Sequence, residues 1–175
     1  MKIGFIVERN TYFRVFGSII DEALKKGHQV FCFHNYGQSR DGSKGYQFPD
    51  MEQTPKFRNG KVSSLSFYSQ EDFIQSVKEK GIDSVVSLDF PERYTEIKKK
   101  LESMGTFWVS LQNGFDTGPT SGGSLTIPDR FFIYSSEWLK WIFEYLKRTG
   151  RTEEENFLAF KNKLQEKVKA VGFWP

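Results

Sequence analysis

"KIGFIVERNTYFRVFGSIIDEALKKGHQVFCF", Lys2 to Phe33, decides the fold. It opens on a nearly continuous apolar run, Lys2 to Val7, as a strand buried on both faces requires. Phe13, Phe16, Ile19, Ile20, Ala23 and Leu24 then recur at helical spacing. Asn10 or Thr11 can cap the start of that helix, and Lys25, Lys26 and Gly27 supply a basic last turn and a glycine stop. Gln29 to Phe33 reads as a second buried strand. A strand, a helix and a strand in this order form a crossover unit, right-handed in about 98% of cases.

The pattern repeats along the chain. A polar tract without a clear period, His34 to Gly60, follows the first unit. Loops of that length are uncommon inside a compact domain and are usually functional or mobile. "KVSSLSFY" reads as an edge strand. "SQEDFIQSVKEKG" reads as a helix with Ser69 as its N-cap and Asp72 three residues on. Asp83 to Leu88 is a third buried strand. "PERYTEIKKKLESMG" is a helix with Pro91 in its first turn. "TFWVSL" and Arg130 to Ser135 are further strands. "EWLKWIFEYLKRTG" is a helix apolar nearly all round and is expected to pack on two sides. Thr152 caps a last, charged helix, and "AVGFWP" begins one more strand. Lys98 to Lys100 and Glu153 to Glu155 read as solvated helix surface. Strands alternating with helices predict a Rossmann-like parallel sheet with helices on both faces, a three-layer α/β/α domain spanning residues 1–175.

Composition narrows the function. At 175 residues and 38% hydrophobic the chain fills one domain core, and 18 phenylalanines make that core aromatic. A net charge of +3 is too mild and too scattered for a nucleic-acid partner. No window approaches the roughly 20 apolar residues of a membrane span, so membrane contact has no support in the sequence. Cys32 is the sole cysteine, which excludes an internal disulfide and fits a reducing, cytoplasmic setting. No Cys and His spacing resembles a zinc site, and no metal or cofactor is expected.

In parallel sheets, ligands bind outside the carboxyl ends of the strands. The residues there are therefore the candidate site. Glu8, Arg9, Asn10 and Arg14 follow the first strand. Asp89, then Arg93, follow the third. Gln112, Asn113 and Gly114 follow "TFWVSL", and Ser135 ends the strand after it. Asp89 and Glu8 are the carboxylates placed to act as a general base, and the remaining residues are expected to bind substrate. Each has a plainer reading beside it. Glu8 to Asn10 can simply cap a helix, Asp89 can be an Asx-turn residue, and Asn113-Gly114 is a turn dipeptide.

Several classes are excluded by their missing motifs. The first strand-to-helix turn, "VERNTYFRVFG", lacks G-x-G-x-x-G, and the chain has no P-loop and no G-x-S-x-G elbow. "TSGGS", Thr120 to Ser124, is expected to lead into a strand and so to lack a helix dipole for an anion.

The order of segments resembles the N-terminal half of GT-B-fold glycosyltransferases of the polysaccharide-forming and glycerophosphotransferase-like kind. Gly27, His28, Gln29 and Val30 match the Gly-His-x-Val step of that family. "VSLQNGFDT" is similar to its strand ending in Gln-His-Gly, with Asn113 in place of the histidine. "FFIYSSEWLKWIFEYL" resembles its next strand and helix, and "KAVGFWP" its crossover to a second half. The resemblance implies an acceptor-side domain that holds a glycan or small polar acceptor, with a nucleotide-sugar donor bound by a second domain. A non-catalytic module binding a small molecule or nucleotide is the alternative, and a complete flavodoxin-like protein is a third.

Overall fold

The computed structural model describes residues 1–37, 54–90, 94–113, 123–148 and 154–171. Among the described residues there are seven strands and six α-helices, mostly in alternation. The strands are β1 (Lys2–Val7), β2 (Gln29–Asn35), β3 (Ser63–Phe67), β4 (Ser84–Leu88), β5 (Phe107–Leu111), β6 (Arg130–Ile133) and β7 (Val168–Ala170). The helices are α1 (Phe13–Lys25), α2 (Gln70–Lys80), α3 (Thr95–Ser103), α4 (Gly123–Thr126), α5 (Ser136–Arg148) and α6 (Glu154–Lys167). The sheet order is β3-β2-β1-β4-β5-β6-β7. The pairings β2 with β3, β1 with β2, β1 with β4, β5 with β6 and β6 with β7 are all parallel. This is the three-layer, Rossmann-like α/β/α class that the alternating pattern predicts.

The residues form two compact units, Met1–Ser87 with Lys99–Phe107, and Leu88–Lys98 with Trp108–Pro175. In the first, β1 pairs with β2 from Lys2 opposite Gln29 to Val7 opposite His34. Phe5 and Phe16 meet edge to face at 5.1 Å, which seats α1 on β1. Gly4 is required by a close approach, because a Cβ there would lie 2.5 Å from the Phe33 ring. Gly27, at φ 78, turns the chain out of α1 into β2. The start of α1 differs from expectation. A 3₁₀ turn, Asn10–Tyr12, precedes the helix, and neither Asn10 nor Thr11 caps it through its side chain. Ser69 does cap α2, its Oγ accepting from the Asp72 amide at 3.1 Å. β3 is an edge strand, as expected.

The second unit is built on a triangle of aromatic rings. Phe90, Tyr94 and Trp108 lie 5.3 to 6.2 Å apart, and all three are buried. Here Lys98 is a correction to the surface reading of Lys98 to Lys100. It is 2% exposed and pairs with Asp129 at 3.1 Å. The expectation that "TSGGS" leads straight into a strand is also corrected, since α4, only four residues long, begins at Gly123. Lys167 donates to the carbonyls of Thr126 and Pro128, tying the end of α6 to the end of α4. In α5, Trp138 and Ile142 are buried, but Trp141 is 49% exposed and stacks on Tyr145. Trp141 therefore departs from the two-sided packing expected of this helix. Pro91, Thr152 and the end of "AVGFWP" lie outside the described residues.

Candidate functional site

Both carboxylates predicted from strand order sit at carboxyl ends of parallel strands, one in each unit. Glu8 follows β1 and is half-buried. Its Oε2 accepts from the Tyr12 hydroxyl at 3.2 Å and its Oε1 from Asn35 Nδ2 at 3.4 Å. Asn35 ends β2, and its Oδ1 accepts from the Gly37 amide at 2.9 Å. The register of β1 on β2 thus fixes the partners of Glu8. Tyr12 and Asn35 were not among the sequence candidates, although both belong to the polar residues that follow these strands. Arg9, Asn10 and Arg14 are exposed beside them.

In the second unit Asp89 follows β4. Its backbone is left-handed, with φ 54, the single non-glycine residue at positive φ among the described residues. Its amide donates to the Leu111 carbonyl at 2.7 Å, and its Oδ1 accepts from the Asn113 amide at 3.2 Å. The Asp89 carboxylate is therefore oriented by the backbone of the Leu111–Asn113 corner. Asn113 is exposed. Gln112 is fully buried, and its Oε1 accepts from the Tyr134 amide at 3.1 Å. That bond links the ends of β5 and β6 and gives Gln112 a positioning role. Ser135 is half-buried, and its Oγ accepts from the Trp138 amide at 3.3 Å, capping α5. Arg93 and Gly114 lie outside the described residues.

Sequence reading missed Lys98, Asp129 and Tyr134. Asp129 sits between a proline and an arginine with no periodic signal, and Lys98 lies in a lysine run that reads as solvated. Among the described residues no three His, Cys, Asp or Glu side chains gather as a metal group.

No protein-family model matches the chain, and no curated protein matches it. A solved structure of an isochorismatase-like hydrolase from Alkaliphilus metalliredigens aligns over 93% of this chain and 96% of its own, at 10% identity and a TM-score of 0.36. These findings correct the GT-B resemblance. The structure that aligns is that of a hydrolase, and no family model and no curated protein bears out a glycosyltransferase, a role in polysaccharide synthesis or an acceptor half. The alternative of a non-catalytic α/β module has no support either and is set aside. A physical reason is visible in the segment that carried the resemblance. Asn113 lacks the ionisable ring of the family's histidine, and the Gln112 side chain is spent inside the fold on the Tyr134 amide. The hydrolase itself, at that identity and TM-score, lends this chain neither an activity nor a residue assignment.

Proposed function

We propose that the chain is an enzyme acting on a small polar, hydroxyl-bearing substrate, with Asp89 as the general base that takes the hydroxyl proton. The observation that carries this reading is the left-handed backbone of Asp89 at the carboxyl end of β4. A non-glycine residue in that region costs free energy, and such residues cluster at active sites. Aspartate tolerates the conformation better than most side chains. Its position also agrees with the rule that parallel sheets bind ligands beyond the carboxyl ends of their strands. The Asn113 amide, donating to Oδ1 at 3.2 Å, orients the carboxylate at the strand end.

In this reading Asn113 and Ser135 contact substrate beside Asp89, and Gln112 holds the strand ends in place. Glu8 of the first unit, oriented by Tyr12 and Asn35, is the alternative base, with Arg9, Asn10 and Arg14 as its polar surroundings. No helix among the described residues is long and apolar enough to cross a membrane. We place the protein in the cytoplasm on the support of its single buried thiol, Cys32, whose pKa burial pushes up to about 12.

The test is turnover by wild type and Asp89→Asn on a panel of small polyols and hydroxy acids. Asparagine keeps the acceptor for the Asn113 amide and tolerates the left-handed backbone. Loss of the base is expected to lower turnover by about 10²- to 10⁴-fold. The unfolding free energy is expected to change by less than about 0.5 kcal/mol. Full turnover in the variant removes the role from Asp89 and moves it to Glu8.

A further inference from the structure

Away from both strand-end carboxylates, the first unit holds a pocket of about 400 Å³ lined by Thr54, Lys56, Phe57, Gly60, Lys61 and Ser64, with Pro55 and Val62. Its floor is ordered from inside the protein. His34, 0% exposed, shares a hydrogen bond of 3.0 Å between Nε2 and the Thr54 hydroxyl, which in turn lies 3.1 Å from Ser64 Oγ. A chain of three polar side chains anchored on a buried imidazole fixes two hydroxyls at the pocket wall. The other wall is a tight turn closed by the antiparallel bridge between Phe57 and Gly60. That turn is braced on α1. Phe57 packs on Phe13 at 6.2 Å, and Asn59 donates its amide to Asp21 Oδ1 and its side chain to the Asp21 carbonyl.

The lining has an excess of donors and positive charge. Lys56 and Lys61 each carry three N–H donors and no acceptor, and among the described residues no lining residue is acidic. The carboxylate of Asp21 is engaged by the turn. Arg58, exposed in the same turn, carries a further positive charge. The volume lies within the roughly 300–1,000 Å³ range of small-molecule sites. We propose that this pocket binds a small anionic molecule through a phosphate or carboxylate group, with Lys56 and Lys61 supplying the charge and Thr54 and Ser64 the hydroxyl contacts. This site is independent of the Asp89 reading and stands or falls without it.

The experiment is a titration of the full chain followed by amide resonances in two-dimensional NMR, at about 0.15 M salt to screen diffuse attraction. The probes are inorganic phosphate, sodium acetate and, as a neutral control, glycerol. Saturable shifts confined to Thr54, Phe57, Gly60, Lys61, Val62 and Ser64 with either anion, and none with glycerol, are expected. Saturation by phosphate alone assigns a phosphate ligand, and saturation by acetate alone a carboxylate. Lys56→Ala with Lys61→Ala is expected to weaken binding about tenfold or more, since it removes both charge-assisted contacts. Thr54→Val, which leaves the charges in place, is expected to weaken it less. Retained dispersion in each variant's spectrum shows that the fold is intact. Shifts scattered over all lysines, equal binding in the double-lysine variant, or no saturable shift with either anion would overturn the proposal.

Discussion

Two aspartates of the second unit make the same pair of backbone bonds at opposite ends of the strands, and they differ in their ion pairing and in their backbone conformation. Asp129 lies at the amino end of β6, where its Oδ2 accepts from the Trp108 amide at 2.7 Å and its Oδ1 meets Lys98 at 3.1 Å. Its own amide donates to the Trp108 carbonyl at 2.9 Å. Asp89 lies at the carboxyl end of β4, accepts from the Asn113 amide at 3.2 Å, and sits on a left-handed backbone. At Asp129 a buried cation and two backbone bonds serve the fold. At Asp89 the backbone conformation works against it. Asp129 stabilises the fold, whereas the backbone conformation of Asp89 costs it stability, which is what the proposed role of Asp89 as a base requires.

The largest expected effect breaks the amino-end cluster. Lys98→Ala leaves the Asp129 carboxylate without its cation next to a buried tryptophan. Denaturant unfolding is expected to show a loss of about 3–5 kcal/mol, the usual result of removing one partner of a buried pair. A loss below about 1 kcal/mol would put the pair with ordinary surface ion pairs. Lys98→Met, which fills the same space, is expected to lose less than the alanine.

Next in size is Gln112→Ala at the carboxyl end. It strands the buried Tyr134 amide and opens a void, at a cost of about 1–3 kcal/mol. A variant with wild-type stability would free Gln112 from its positioning role. Smaller again is Ser69→Ala in the first unit, which removes the α2 cap and is expected to cost about 1 kcal/mol by thermal unfolding. Cys32 gives a check on burial. At pH 8 a thiol reagent is expected to label it only after unfolding, because burial raises its pKa to about 12. Since the folded value lies above the ordinary value of 9.0, Cys32 favours the fold below about pH 9 and that contribution fades as pH rises toward 12.

The fold was legible because its signals are local. The apolar run of β1, the helical spacing of Phe13 to Leu24 and the Gly27 stop act within a few residues of one another. The polar strand ends were legible for the same reason, once a parallel sheet was assumed. What the sequence hid was long-range. Nothing near Lys98 announces Asp129, which is 31 positions away along the chain, and a lysine run reads as surface unless its partner is known. Gln112 was read as facing a ligand because a glutamine beside a turn gives no hint that a strand-end amide, that of Tyr134, will claim its oxygen. The left-handed backbone of Asp89 is a tertiary outcome as well. Leu111 and Asn113 hold it through hydrogen bonds that no spacing encodes.

The central claim is that Asp89 is retained for chemistry at a cost to the fold, and the unfolding free energy of Asp89→Gly measures it directly. Glycine removes the carboxylate and with it the exposed bond from the Asn113 amide, but it relieves a conformation that costs an L-residue roughly 1–2 kcal/mol. Net stability equal to wild type, or higher by up to about 1 kcal/mol, is the predicted result. A loss of more than about 2 kcal/mol would contradict the account, for it would make the Asp89 carboxylate a clamp that the fold itself requires.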